Sequence, residues 1–268
     1  MKKLFLAVLA AVAVSTVSAQ YKAPQIIANG GYHKHPSSGV KNTASALKAA
    51  QKAKVYGSEC DINLTKDEVL LMIHSRWHPH HKASPRARVQ DSSLKKMQEI
   101  PFSNGEYIST VEAFLKLAAK KPATKLILEP KPQDSQERET ILVEKMLRAV
   151  EAFGMQKNVE YISFSPWICF ELAKKAPKGT SIAYLAGNYA PEYCKGMGCT
   201  GIDYHINTLR KRVKWIKEAH ELGLTVNVWT VNKEVDIRWC IENGVDFITT
   251  DEPVLAKSII KEMCGKQK

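Results

Sequence analysis

From Ile26 onward the chain alternates short apolar runs with longer stretches whose apolar residues recur at helical spacing. The runs "QIIAN", "GSECDINL", "KLILEPK", "VEYISFS", "SIAYLAG", "GIDYH", "TVNVWTVN" and "VDFITTD", rich in Val, Ile, Tyr and Phe, predict eight strands, with "VLLMIH" as a separate return arm. Between them, segments such as "TASALKAAQKAK", "TVEAFLKLAAKK", "TILVEKMLRAVEAFG", "VKWIKEAHELG" and "VDIRWCIENG" predict helices. Gly154, Gly223 and Gly244 follow three of them, where a left-handed stop residue turns the chain toward the next strand. Eight such units in about 250 residues predict one α/β domain, a (β/α)8 TIM barrel with a hairpin and loop insertion after the second strand.

In such a barrel the chemistry lies where the strands end, so the residues closing each strand are the candidates. They are Asn29, Glu59 with Asp61, Glu129 with Lys131, Ser163 with Ser165, His205, Trp229 with Asn232, and Asp251. Glu59 and Asp61 are two apart on one strand and share a face, while Cys60 points away. A reversal at Lys66 and Asp67 would set Glu59 opposite His74 and Asp61 opposite Met72, gathering both acids and the histidine on one side. With Glu129 they form an oxygen-rich cage that repels itself without a cation, and Ca2+ or Mg2+ suits it. Solvated acids paired with Lys131 and nearby arginines are the alternative.

Composition adds three constraints. The 268 residues are 44% hydrophobic, enough for one large core. "MKKLFLAVLAAVAVSTVSAQ" has the layout of a secretory signal, with cleavage expected after Ala19, so residues 20–268 form the mature domain. The expectation is an exported protein, periplasmic or extracellular and soluble, touching membranes at most peripherally. Loss of Lys2 and Lys3 with the signal takes the formal net charge from +12 to +10. That surplus favours an anionic partner such as a phosphate ester, although the lysines also scatter as a solvated face does. No motif points to nucleic acid or to a protein partner. Of the six cysteines, Cys194 and Cys199 are close enough in sequence for a loop disulfide, and buried free thiols are the equal alternative.

Taken together, the motifs resemble those of the glycerophosphodiester phosphodiesterases over nearly the whole mature length. "GSECDINLTKDEVLLMIHS" is similar to that family's Glu-x-Asp…His block, "LILEPK" to its Glu-x-Lys strand, and "NVWTVN…NGVDFITTDEP" to its closing segment. The resemblance implies a metal-dependent barrel enzyme that cleaves small-molecule glycerophosphodiesters to glycerol 3-phosphate and an alcohol. It implies Glu59, Asp61 and Glu129 as metal ligands, His74 as a catalytic histidine, Lys131 as a phosphate-holding catalytic residue, and Trp229 as pocket wall. Three positions depart from it. Where the family carries His-Arg-Gly the chain has Asn29, Gly30 and Gly31, and its Pro-Glu-Asn-Thr helix entry is "VKNT", with Lys41 replacing the acid and Asn42 expected to cap the helix. Asn29 can hold an oxygen but cannot exchange a proton near neutral pH. Lys41 and Arg76 are candidate phosphate contacts. The loop "HSRWHPHHKASPRAR", with His74, His78, His80 and His81, and "YHKHP", with His33 and His35, are candidate replacements for the missing side chains. A catalytically weakened family member that binds a phosphodiester or polyanion is the alternative from another class, and a lyase using Lys131 as a Schiff-base amine is a third.

Overall fold

Residues 21–78 and 87–265 are described by the structure, a computed structural model. The expected signal segment, residues 1–19, and the histidines at 80 and 81 lie outside the described residues. Eight parallel strands close into a ring: β1 (Gln25–Ala28), β2 (Gly57–Leu64), β4 (Lys125–Pro130), β5 (Val159–Ser163), β6 (Ile182–Tyr184), β7 (Gly201–His205), β8 (Thr225–Trp229) and β9 (Phe247–Thr250). Pairing of β1 with both β2 and β9 seals it. The ninth strand, β3 (Leu70–Met72), runs antiparallel against the end of β2. Outside the ring lie α1 (Ala44–Ala53), α2 (Leu94–Met97), α3 (Val111–Ala118), α4 (Gln136–Ala152), α5 (Pro166–Lys175), α6 (Pro191–Gly196), α7 (Ile206–Lys211), α8 (Lys214–Glu221), α9 (Glu234–Glu242) and α10 (Pro253–Cys264). No helix among the described residues is long and apolar enough to cross a membrane.

Period-two alternation divides the strands between two surfaces. Ala28, Cys60, Ile62, Leu128, Tyr161 and Val228 face the helices and form most of the core with them. Ile27, Ile127, Ile162 and Leu185 fill the barrel interior with Tyr56, Phe247 and Trp229 packed on them. The same inward parity carries Asn29, Glu59, Asp61, Glu129 and Lys131 to the C-terminal mouth. Gly154, Gly223 and Gly244 have φ of 64°, 72° and 71°, the left-handed stops expected after their helices.

The β2–β3 hairpin differs from the expected register by one residue. Ile62 pairs Met72 and Leu64 pairs Leu70, and Ile73 N–H donates to Asp61 O (3.0 Å), so Asp61 faces Ile73 rather than Met72. The cause is a three-residue loop. Thr65 N–H donates to Val69 O (3.0 Å), Thr65 Oγ1 bonds Asp67 (2.6 Å) and accepts from Val69 N–H (2.8 Å), and Glu68 takes a left-handed φ of 58°. His74 therefore leaves the end of the hairpin instead of standing opposite Glu59. Beyond it the insertion packs a second small core of Leu71, Ile73, Val89, Met97, Phe102 and Ile108. His78 is buried there, with its Nε2 3.1 Å from Ile100 O and its ring stacked on Phe102.

The six cysteines are free thiols, five of them buried. The cap of α1 is Thr43, whose hydroxyl accepts from Ala46 N–H (3.3 Å), and not Asn42. Asn42 instead takes a left-handed φ of 61° and is buried, with its side chain aimed into the barrel mouth.

Candidate active site

A cavity of about 200 Å3 opens at the C-terminal ends of the strands. One arc, from β1, the entry to α1, β2, the hairpin and β4, is polar: Asn29, Lys41, Glu59, Asp61, His74, Glu129 and Lys131. Ile162, Phe164, Leu185 and Trp229, from the ends of β5, β6 and β8, make the other arc apolar, and Asp203, Thr230 and Thr249 complete the lining.

Ligand atoms of Glu59, Asp61 and Glu129 lie within 4.8 Å of one another, and all three residues are buried. Each is held by a defined partner. Glu59 Oε2 accepts from Gly30 N–H at 2.6 Å. Asp61 Oδ2 accepts from Asn42 Nδ2 (2.7 Å), and Asp61 N–H donates back to Asn42 Oδ1 (2.9 Å), a two-point grip that fixes the carboxylate. Lys131 Nζ bridges Asp61 Oδ1 (3.0 Å) and Glu129 Oε1. Glu59 Oε1 is buried with no hydrogen-bond partner among the described residues. Three acids, one orphaned oxygen and a single bridging ammonium suit a divalent cation.

The electrostatics agree. Burial, with Asp61 and Glu129 adding repulsion, raises the Glu59 carboxyl far above its ordinary range. Burial and Asp61 push Glu129 up to about 8 against the pull of Lys131. Burial opposes ionisation of Asp61 too, but Lys131, His74 and Asn42 outweigh it and hold this acid below the ordinary value. His74 is drawn upward by Asp61, yet partial burial and the ammoniums of Lys131 and Lys41 leave it below 6.5, so the imidazole is neutral at pH 7.

These shifts set a pH dependence. A carboxyl whose folded pKa is raised stabilises the fold while protonated, and that contribution drains away as pH rises from the unfolded value, near 4.5, through the folded one, about 8 for Glu129. Chelated protein is expected to melt at progressively lower temperature between about pH 5 and 8, by at most about 1.4 kcal/mol per pH unit for each proton released. Saturating Ca2+ or Mg2+ should flatten the curve. Parallel melting curves with and without metal would contradict this.

The glycerophosphoryl diester phosphodiesterase family model matches residues 29–255, which span every barrel strand but β1. The chain belongs to that family. Among solved structures, a glycerophosphodiester phosphodiesterase from Parabacteroides distasonis is 33% identical with a TM-score of 0.85, over 90% of this chain and 98% of that one. An Oleispira antarctica phosphodiesterase, solved with the product sn-glycerol-3-phosphate, shares the fold at 18% identity and a TM-score of 0.77, over 89% of this chain and 97% of the other. A glycerophosphodiester phosphodiesterase from Caldanaerobacter subterraneus is 24% identical, over 83% of this chain and 93% of its own length.

Against this family frame the three departures form one arrangement. Asn29 Nδ2 donates to Asp251 Oδ1 (2.8 Å), whose other oxygen accepts from Asn232 Nδ2 (2.8 Å). Lys41 Nζ reaches the same Asp251 Oδ1 at 3.1 Å. Its aliphatic stem crosses directly over Gly30, where an added Cβ would stand 2.7 Å from both Cβ and Cγ of Lys41. Lys41 thus brings its ammonium to the end of the first strand from the α1 entry, through space that a side chain at residue 30 would fill.

Gly30, at φ 64°, is also strained for any side chain. Gly30→Ala is therefore expected to cost about 1–3 kcal/mol of stability. It should also displace Lys41, raising KM for an anionic diester roughly 10-fold, the scale of one charge-assisted contact. Thermal unfolding and steady-state kinetics check the two effects separately.

His33 comes close as well: its Nδ1–H donates to Asn29 O (3.2 Å) and Nε2 lies 3.8 Å from Asp251 Oδ1. It stands behind Asn29 and does not line the cavity. Arg76 is exposed and outside the cavity lining, and His78 is packed in the insertion core, so neither takes the vacated positions. His35 bonds Ser37 at the surface. Ser163 donates to Pro130 O and Ser165 caps α5, so both are structural. His205 and Phe164 pack edge-on against Trp229, and Trp229 Nε1–H donates to Asp203 O (2.9 Å), fixing the indole as pocket wall. Asn42 as a carboxylate holder and Asp203 at the cavity base go beyond what the sequence reading identified.

Proposed function

We propose that the chain is an exported phosphoric diester hydrolase that cleaves glycerophosphodiesters to glycerol 3-phosphate and an alcohol. The observation that carries this is the meeting of Glu59, Asp61, Glu129, Lys131, His74 and Lys41 in one cavity of a family barrel. Ca2+ or Mg2+ held by the three carboxylates would neutralise charge on the phosphoryl oxygens. Lys131, whose pKa is raised because Asp61 and Glu129 outweigh its burial, stays an ammonium and sets a permanent positive charge beside the phosphate. Lys41, with its side chain 38% exposed, presents a second one at the mouth. His74, neutral at pH 7, accepts a proton from the attacking oxygen at an imidazole nitrogen. The apolar arc takes the carbon skeleton of the substrate and keeps water from it.

Purified mature protein should release glycerol 3-phosphate from glycerophosphodiesters with Ca2+, Mg2+, Mn2+ or Zn2+, cease on chelation, and lose about 10²- to 10⁴-fold in rate on His74→Ala. A second reading, binding without turnover, is favoured by Asn29, whose amide is committed to Asp251 and supplies no proton to a leaving group. Metal-dependent ligand binding with no diester cleaved would decide for it. Export rests on residues 1–19, and a mature amino terminus at Gln20 in the periplasmic or extracellular fraction tests it.

A further inference from the structure

Asp203 stands third on β7 and faces the barrel interior at the base of the cavity, 1% exposed. It also borders the smaller interior space beneath, so it is the floor between the two. Its Oδ1 is buried and has no hydrogen-bond partner among the described residues. Its neighbour across the ladder, Asn227, hydrogen-bonds the carboxyl but leaves that Oδ1 unpaired, and is otherwise engaged, Nδ2 with Thr249 and Oδ1 with Val228 N–H. Burial raises the acid to about 7 against the pull of its one hydrogen bond from Asn227, the cost of keeping a carboxyl there without a full set of partners.

A barrel interior filled by Ile127 and Ile162 offers no packing reason for a carboxyl, since an apolar residue of similar size would leave nothing unsatisfied. The polar arc and the acids hold the phosphate end of a ligand, and the apolar arc covers its carbon atoms. Outside those two arcs the cavity is lined by Asp203, Thr230 and Thr249, and Asp203 is the acid among them.

Resting on the diesterase reading, we infer that Asp203 is a specificity-determining residue that hydrogen-bonds a hydroxyl of the buried alkyl phosphate, selecting a polyol phosphate over an alkyl phosphate of the same length. A site built around an unpaired buried polar group rejects an analogue lacking the matching hydroxyl strongly, because binding then leaves that group unsatisfied.

The test is calorimetric binding of monoesters to the Ca2+-loaded protein, which needs no turnover. The probes are glycerol 3-phosphate, 3-hydroxypropyl phosphate, propyl phosphate and phosphoethanolamine, with inorganic phosphate as control. Glycerol 3-phosphate should bind at least about 10-fold tighter than propyl phosphate. Asp203→Leu should level that ratio, Asp203→Asn should retain part of it, and both should bind inorganic phosphate as the wild type does. The phosphate control and a melting curve separate loss of selectivity from loss of fold, and Asp203→Asn keeps the test open should the leucine variant not fold. Equal affinities in the wild type, or an undiminished ratio in the leucine variant, would overturn the inference. Tightest binding of phosphoethanolamine would overturn it too, by making the partner an ammonium. Absence of binding by any probe sinks it as well. Diester cleavage without hydroxyl selectivity would defeat it and leave the diesterase reading standing.

Discussion

Glu59→Gln is expected to lower turnover by about 10²- to 10³-fold, the scale of losing one electrostatic contact to developing charge, while making the metal-free protein more stable at pH 8. The two effects have one origin. Glu59 is 4% exposed beside two other acids, its Oε2 satisfied by Gly30 N–H and its Oε1 by no group among the described residues. Glutamine can keep accepting from Gly30 through its carbonyl and turn its NH2 toward Asp61 and Glu129, converting repulsion into hydrogen bonds. The gain appears only where wild-type Glu59 would have to ionise, so the melting temperatures should converge near pH 5 and separate as pH rises. Added Ca2+ at about 100 times its Kd stabilises a binding-competent protein by roughly 2.7 kcal/mol, and the variant should show little of that. A variant that turns over normally, or that melts below wild type without metal at pH 8, would mean that the three carboxylates do not share a cation.

Much of this site is legible in the strand pattern because parity is a hard constraint: residues two apart on a strand face the same way. That rule brings Glu59 with Asp61, and Glu129 with Lys131, to one mouth from the sequence alone. The same rule, carried one step inward from His205, identifies Asp203 as an interior carboxyl, but a lone acid inside "GIDYH" stands out only once its apolar surroundings are known. The hairpin register is not legible because it depends on hydroxyl bonding at Thr65 and on a left-handed Glu68, neither of which belongs to a strongly favoured turn dipeptide. Asn42 looks like a helix cap, and adjacent Thr43 takes that role, freeing Asn42 for Asp61. The exchange between Gly30 and Lys41 joins residues in different elements across a steric gap, which no local pattern reports.

That exchange brings a cation but no acid to the end of the first strand, and the missing acid predicts a selective gain of function. Asn29→His is expected to raise kcat on glycerophosphodiesters with alkyl leaving groups by about 10²-fold, the lower end of what a placed general acid contributes. Asp251 is already set to orient such a histidine. It lies 2.8 Å from the Asn29 amide, accepts from Asn232 and the Asp251 N–H is itself held by Asn232 Oδ1 (2.8 Å). Burial works against its charge, but Lys41, Asn232 and Asn29 hold its pKa below the ordinary value, so it is a carboxylate throughout the working range. A carboxylate hydrogen-bonded to one imidazole nitrogen stabilises the imidazolium and presents the other nitrogen to the reacting group. An alkoxide departs badly without a proton, whereas an aryl oxide does not need one, so p-nitrophenyl diesters should gain less than about 3-fold. The pH–rate profile for alkyl substrates should acquire a new descending limb as the introduced imidazolium loses its proton. An equal gain on both substrate classes would assign the effect to binding or packing. No gain on either would show that Lys41, sharing Asp251 at 3.1 Å, has taken the carboxylate out of reach of residue 29.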